Sequence, residues 1–459
     1  MPAPSSRQPD LLGITWPMFV EQFLMMAIGT LGLWLAGQVS LGAVAVFGLA
    51  NQLRQIFDRI FRVVGVGTSV VVTQHKGGGD DEGAAAMARA GLAASLWLGL
   101  ISAALVGLMP AATLKLLQLP VELFELAVPF FILTAIGLAL DSLFVTMLSV
   151  LRAYTFTRDS MRMTMAMNLL QVVVSIPLVT GWAGLPALGL MGLGWGHLLS
   201  RLLAVGLLAM LWLRRLNIRL TPSLFYSRHR EALPPILAIG LPSAGEKIAF
   251  RIAFLMTVSM AASLGTDALA AHAWVLQAAG WVNIYMVSLS FGSEIVLGHL
   301  VGAGRLKQAN ATLQRALRIA LVVTVSGAIL SCFVTPFLLH GLNTDLAVIS
   351  LIVGVLLIDL LLEPGRCLNI LMLGGLRAAG DVRFPVKVSV VSNFVFGAGL
   401  AWLMGIHFGL GLPGIWIGYT VDEWVRGLCM AARWRAKGWT DSARAARRRI
   451  VQRLKPRAN

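Results

Sequence analysis

Apolar residues in this chain come in long unbroken blocks, not in the 3.6-residue rhythm of a surface helix or the alternation of a half-buried strand. The block GLAASLWLGLISAALVGLM at 91–109 contains no charge. About 20 such residues span the roughly 30 Å of a bilayer's hydrocarbon as a helix. Backbone groups in lipid are satisfied only by helices or closed barrels, and short alternating strands are not visible here. The pattern predicts an all-α polytopic membrane protein with 12 transmembrane helices. Six expected spans lie near 11–37, 44–74, 84–109, 121–151, 160–181 and 187–213, and six near 234–263, 268–299, 310–338, 346–376, 384–405 and 411–434.

The blocks repeat. Adding 225 to a residue number in the first half reaches its counterpart in the second: Pro17 to Pro242, Glu21 to Glu246, Gln52 to Gln277, Arg152 to Arg377, Asn168 to Asn393 and Arg201 to Arg426. In-register matches of Pro, Glu, Asn, Gln and Arg mean a duplication. An even number of spans per half gives both halves the same orientation, a parallel repeat of the kind transporters use. The expected organisation is therefore a six-helix bundle over 1–213, a cytoplasmic linker over 214–233, a second six-helix bundle over 234–436 and a basic tail over 437–459, with the two bundles pseudo-symmetric.

Composition sharpens this. Hydrophobic residues make up 57% of the 459 and charged ones only 13%, against roughly 25% charged in a soluble domain. The formal net charge of +16 would suggest nucleic acid in a soluble protein. Here the positive residues lie between spans: Arg7, Lys76, Arg152, Arg158, Arg162, the 214–230 arginines, Arg305, Lys307, Arg377, Arg383, Lys387 and the tail, whereas the opposite loops hold only Lys115. The positive-inside rule makes the first side, and both termini, cytoplasmic, and no nucleic-acid partner is expected. A basic tail with Ile450, Val451 and Leu454 between its arginines suits a short helix on anionic lipid as well as a solvated tail. Cys332, Cys367 and Cys429 show no paired spacing and read as free packing residues. No HExxH, Asp-rich metal pair or nucleotide loop is present, so neither an enzyme nor a metal or organic cofactor is expected.

Ionisable groups inside membrane spans are functional candidates by default. Glu21 and Glu246 each follow a helix proline by one turn, and a titratable carboxylate beside a bendable turn is a candidate protonation switch, or else caps or pairs near the membrane edge. Arg54, Asp58 and Arg62 at i, i+4 and i+8 share one face of the second span. They read either as a polar cavity lining, favouring anionic or zwitterionic groups, or as a self-neutralised network. Asp359, Glu363 and Arg366 form a second charged cluster beside Pro364, and Arg366 has Asp141 as its repeat partner, an inverted charge. Asn168 and Asn393 read as packing hydrogen bonders. The spacings Gly192/Gly196, Gly298/Gly302 and Gly414/Gly418 suggest close helix packing.

The segments TWPMFVEQ near the start, IGLPSAGEKIAFRIAF followed by VGAGRLKQA, LRAAGDVRFP at 376–385 and GLPGIWIGY at 411–419 occur in order along nearly the whole chain. Together they resemble the multidrug and toxic compound extrusion (MATE) transporters. The resemblance implies an exporter in the bacterial inner membrane that exchanges an organic, often cationic, substrate for inward H⁺ or Na⁺, working as a monomer among membrane lipids. It also places Trp34, Gln52, Phe57, Phe61, Trp274, Gln277, Trp281 and Tyr285 on helices that face the substrate in relatives, beside Arg54. Three acidic positions of better-known branches are replaced, by Gly32, Phe250 and Arg366. A flippase for a lipid-linked or polyanionic envelope precursor is the alternative within the same superfamily.

Overall fold

The computed structural model describes residues 10–184, 186–218, 221, 231–341 and 345–454. Arg7, Arg219, Arg228, Arg230 and Arg457 of the sequence reading lie outside them. The twelve expected spans are helices: α1 (Leu11–Gly37), α2 (Leu41–Gly77), α3 (Asp81–Gly107), α4 (Phe124–Ala153), α5 (Thr157–Thr180), α6 (Leu190–Leu211), α7 (Leu233–Ser263), α8 (Thr266–Gly302), α9 (Leu306–Gly341), α10 (Leu346–Ala378), α11 (Arg383–Ser392, continued by π turns to His407) and α12 (Gly411–Arg435). A thirteenth, α13 (Thr440–Leu454), carries the basic tail.

Among the described residues, nine helical segments are long and apolar enough to cross a membrane. The long helices outside that set are α2, α7 and α12. Each carries at least three charged side chains: Arg54, Asp58 and Arg62; Glu246, Lys247 and Arg251; Asp422, Glu423 and Arg426. All three contribute residues to the sites below.

Helix ends follow local chemistry. Asp80 accepts from the Gly83 N–H at 2.8 Å and opens α3, and Asp345 accepts from the Ala347 N–H at 2.9 Å and opens α10. Such caps satisfy amide groups that the first turn leaves without partners. The turns after α2 and α8 reach positive φ at Gly79 and Gly304, repeat-equivalent positions where a side chain would be strained.

The residues form two compact units. The N-unit holds Val20–Lys76 and Asp80–Leu241. The C-unit holds Gly77–Gly79 and the chain from Pro242 onward, with the segment ending at Phe19. This differs from halves divided in the linker. The division falls two residues after Pro17 in α1 and immediately before its repeat equivalent Pro242 in α7, so the first turns of each half's first helix belong with the other half's unit. Proline removes one backbone hydrogen bond at each place.

The N-unit core packs Val46, Ala50, Phe57, Phe61, Phe131 and Leu138. The C-unit has one core around Leu289, Leu297, Leu313, Leu371 and Trp434 and a second around Ile352, Val355, Leu362 and Trp416. In the N-unit, Gly192 and Gly196 bring α6 against Leu178 and Ser175 of α5; in the C-unit, Gly414 and Gly418 bring α12 against Gly405 and Ala401 of α11. The tail helix docks on the C-unit. Trp439 stacks on Trp434 with centroids 4.1 Å apart, Arg447 donates to the Gly302 carbonyl at 2.5 Å, and Ile450 is buried beside Gly78. Ile450 therefore serves protein packing, while Val451 and Leu454 stay exposed.

Candidate functional site

Each unit holds its own partly open, mainly apolar cavity with charged groups in its wall, and the two are related by the 225-residue repeat. The N-unit cavity, about 210 Å³, is lined from α1, α2, α4, α5 and α6. The C-unit cavity, about 320 Å³, is lined from the equivalent helices α7, α8, α10, α11 and α12. Equivalent positions occur in both linings: Arg54 and Ala279, Asp58 and Asn283, Asp141 and Arg366, Asn168 and Asn393, His197 and Asp422. The duplication has kept the cavity and changed its charges.

In the N-unit, Asp141 sits among cations. Arg201 Nε lies 2.6 Å from Asp141 Oδ1, and His197 Nε2 lies 3.2 Å from Asp141 Oδ2. Arg54 Nη1 reaches His197 Nδ1 at 3.0 Å, and its Nη2 donates to Asn51 Oδ1 at 3.0 Å. A guanidinium can only donate, so His197 Nδ1 accepts and the ring's proton sits on Nε2, facing the carboxylate. His197 is thus a neutral bridge between Arg54 and Asp141. Asp58 does not bridge two arginines: it accepts from Arg62 Nε at 2.7 Å, and Arg54 turns to Asn51 and His197 instead.

In the C-unit, a cation sits among carboxylates. Arg366 pairs closely with Glu363 and lies 3.9 Å from Asp359 Oδ1 and 3.7 Å from Glu423 Oε1. Asn283 Nδ2 donates to Glu363 Oε1 at 3.1 Å, and Asn369 Nδ2 to Glu423 Oε2 at 2.7 Å. Arg426 holds Asp422 through two nitrogens, at 3.1 and 2.6 Å, and reaches Glu423 Oε1 at 3.0 Å. Four carboxylates thus share two arginines, with Arg251 a third cation over Phe254 at the cavity edge. Glu363 is fully buried, and its Oε2 has no hydrogen-bond donor among the described residues; neither has Asp359 Oδ1. Phe250, Phe254, Trp416 and Tyr419 complete the wall.

Glu21 and Glu246 belong to neither lining. Glu21 is buried against Arg152 and accepts from Ser160 Oγ at 2.6 Å. Its repeat equivalent Glu246 lies 3.9 Å from Arg377, which also pairs with Glu294 at 3.5 Å. Each joins the turn after a helix proline to the last turns of α4 or α10.

The remaining sequence candidates divide. Phe57 and Phe61 stack at 6.1 Å in the N-unit core. Trp34, Gln52, Trp274, Gln277 and Trp281 are exposed and line neither cavity. Tyr285 stands edge-on to Phe19 at 5.9 Å against the C-unit core. Asn168 and Asn393, read from the sequence as packing residues, line the cavities. Sequence reasoning missed His197, Asp422 and Glu423 as site residues. The one available signal was the spacing of His197 and Asp422 four residues before the repeat-matched Arg201 and Arg426.

The family model described as MatE matches residues 17–176 and 242–403, one match in each half. An uncharacterized transporter of Bacillus subtilis, YisQ, is 30% identical, the alignment covering 96% of this chain and 97% of the relative. A probable multidrug resistance protein of Thermotoga maritima, NorM, is 23% identical over 96% of this chain and 95% of its own. Among solved structures, a mutant of the Vibrio cholerae MATE transporter VcmN superposes with a TM-score of 0.84 at 19% identity, covering 95% of this chain and 96% of that one. That likeness concerns the fold.

Proposed function

The chain belongs to the MatE family of multidrug efflux transporters, and from that membership we propose that it is a proton-driven antiporter exporting amphipathic organic cations by alternating access. It works as a monomer in the inner membrane, with both termini cytoplasmic. The observation that carries the reading is the C-unit cavity. Asp422 and Glu423 line it beside Arg366, and Glu363 and Asp359 are buried behind that arginine, so carboxylates exceed arginines inside membrane-spanning helices, next to four aromatic rings. Aromatic faces and uncompensated carboxylates attract an organic cation. The same carboxylates attract a proton, because like charges around one arginine cannot all be ionised cheaply in a low-dielectric site. Glu363 Oε2 and Asp359 Oδ1, which have no donor among the described residues, are the atoms we assign to take that proton. Proton entry removes the attraction for the organic cation, and proton release restores it, which is the exchange an antiporter needs.

Proteoliposomes containing a fluorescent organic cation test this. A pH gradient should drive transport, and a Na⁺ gradient of equal size should not. Glu363→Gln, which mimics the protonated carboxyl, should cut gradient-driven transport by roughly tenfold or more, the weight of one charged hydrogen-bonding group. Transport that ignores the pH gradient, or that Glu363→Gln leaves intact, refutes the proton reading.

A further inference from the structure

The N-unit cavity has the opposite charge balance and no role in the exchange just described. Its charged groups are Arg54, Arg62, Arg152 and Arg201 against Asp58, Asp141 and the Glu21 that pairs with Arg152. Arg62 is matched by Asp58, Arg152 by Glu21 and Arg201 by Asp141. His197 is neutral by its hydrogen bonds. One positive charge, on Arg54, is left over. Its guanidinium has five N–H donors, and the polar side chains it meets, Asn51 and His197, are both uncharged. An unbalanced charge inside a membrane-spanning helix is expensive, and the equivalent position in the C-unit is an alanine, Ala279.

Two further cavity-lining groups have hydrogen-bonding capacity to spare. Asn168 is 5% exposed and Thr164 2%, and neither Asn168 Nδ2 nor Thr164 Oγ1 has a partner among the described residues. Buried donors are normally satisfied, and exceptions call for a missing partner. The rest of the wall is apolar: Met25, Ile28, Phe47, Phe144 and Leu148. A cavity of about 210 Å³ falls below the roughly 300 Å³ at which drug-sized pockets begin, so it accepts a small ligand or one end of a larger one.

We propose that the N-unit cavity binds the head of an amphipathic organic carboxylate, with Arg54 as its counter-ion and Asn168 and Thr164 as supporting donors. A single surplus positive charge fits a monoanion. A phosphate monoester carries about −1.5 to −2 at neutral pH and would leave negative charge uncompensated. This deepens the transporter reading and rests on it: the duplicated cavities take ligand groups of opposite sign, and the substrate range includes organic anions or zwitterions.

Binding tests it without any gradient. Full-length protein in phosphatidylcholine nanodiscs is dialysed against 2-naphthoate, against the neutral 2-naphthamide, and against 2-naphthoate with excess inorganic phosphate. Naphthoate should bind roughly tenfold or more tightly than the amide, the weight of a charged hydrogen bond. Arg54→Gln should bring naphthoate down to the amide's level, and phosphate should not displace it. Asn168→Leu, expected to weaken naphthoate several-fold, takes over if Arg54→Gln shows no cooperative melt. Equal binding of naphthoate and amide, or binding that neither substitution weakens, overturns the proposal, as does displacement by phosphate. Failure of proton-driven cation transport with Arg54-dependent naphthoate binding intact would sink the antiporter reading alone.

Discussion

Two buried ion pairs recur at the same repeat position, and their surroundings differ in a way that predicts unequal behaviour. Glu21 has Arg152 and Ser160; Glu246 has Arg377, at a longer 3.9 Å, with Glu294 competing for the same guanidinium. Removing one partner of a buried pair strands the other charge and costs about 3–5 kcal/mol. Arg152→Ala should therefore lower the melting temperature of the purified protein sharply, and adding Glu21→Gln should restore most of the loss. Glu246→Gln should be nearly silent, because Arg377 keeps Glu294. A large loss from Glu246→Gln, or no rescue by Glu21→Gln, would refute this assignment. At this scale legibility depended on sequence distance. The Asp359, Glu363 and Arg366 cluster could be read directly, since helical spacing puts those residues on one face. The Asp141–His197 contact could not, because it joins residues 56 apart, and a lone histidine in an apolar helix announces no partner.

Helix packing sets the shape of each cavity wall, and the glycines of α12 make it possible. A Cβ at Gly418 would lie 2.6 Å from the Ala401 nitrogen and 2.7 Å from its Cα, backbone atoms of α11. That clash cannot be relieved by a rotamer change. Gly418→Leu should destabilise the protein by at least the roughly 1–3 kcal/mol typical of overpacking. It should also disturb the C-unit cavity, whose wall includes Trp416 and Tyr419 of the same helix. Gly354, in the middle of α10 with nothing within 4 Å of its would-be Cβ, supplies the contrast. Gly354→Ala should leave the melt unchanged or raise it slightly, by the roughly 0.5–1 kcal/mol helix preference of alanine. Thermal melts of both variants check the pair, and equal effects would contradict the packing argument. The Gly414/Gly418 spacing was readable from the sequence, since small residues four apart mark one helix stripe. The π turns of α11 from Asn393 onward were not, because no residue pattern distinguishes an i→i+5 bond from an i→i+4 bond. They begin at Asn393, which lines the cavity; such turns are frequent at functional sites.

Across the whole molecule, the constant offset of 225 made the architecture legible, because duplication ties each helix to a partner whose assignment must agree. The same offset, once side chains are placed, shows that the halves have diverged in the charges around their cavities. Asp141 ringed by Arg54, Arg201 and His197 has become Arg366 ringed by Asp359, Glu363 and Glu423. A carboxylate among cations and a cation among carboxylates cannot take the same ligand. Which side of the membrane each helix end faces follows from charge alone, and that is the remaining prediction. The basic loops and tail should be cytoplasmic, and the loop around Lys115 periplasmic. Two single-cysteine variants test this, after Cys332, Cys367 and Cys429 are replaced by alanine: Ala445→Cys on the exposed side of α13, and Ala112→Cys in the exposed segment after α3. In intact spheroplasts a membrane-impermeant maleimide should label Ala112→Cys and spare Ala445→Cys until the membrane is broken. The reverse pattern would invert the topology and, with it, the direction in which the C-unit carboxylates meet the proton gradient. Labelling of both in intact cells would mean an even number of crossings between them, against the odd number that the twelve-helix count requires.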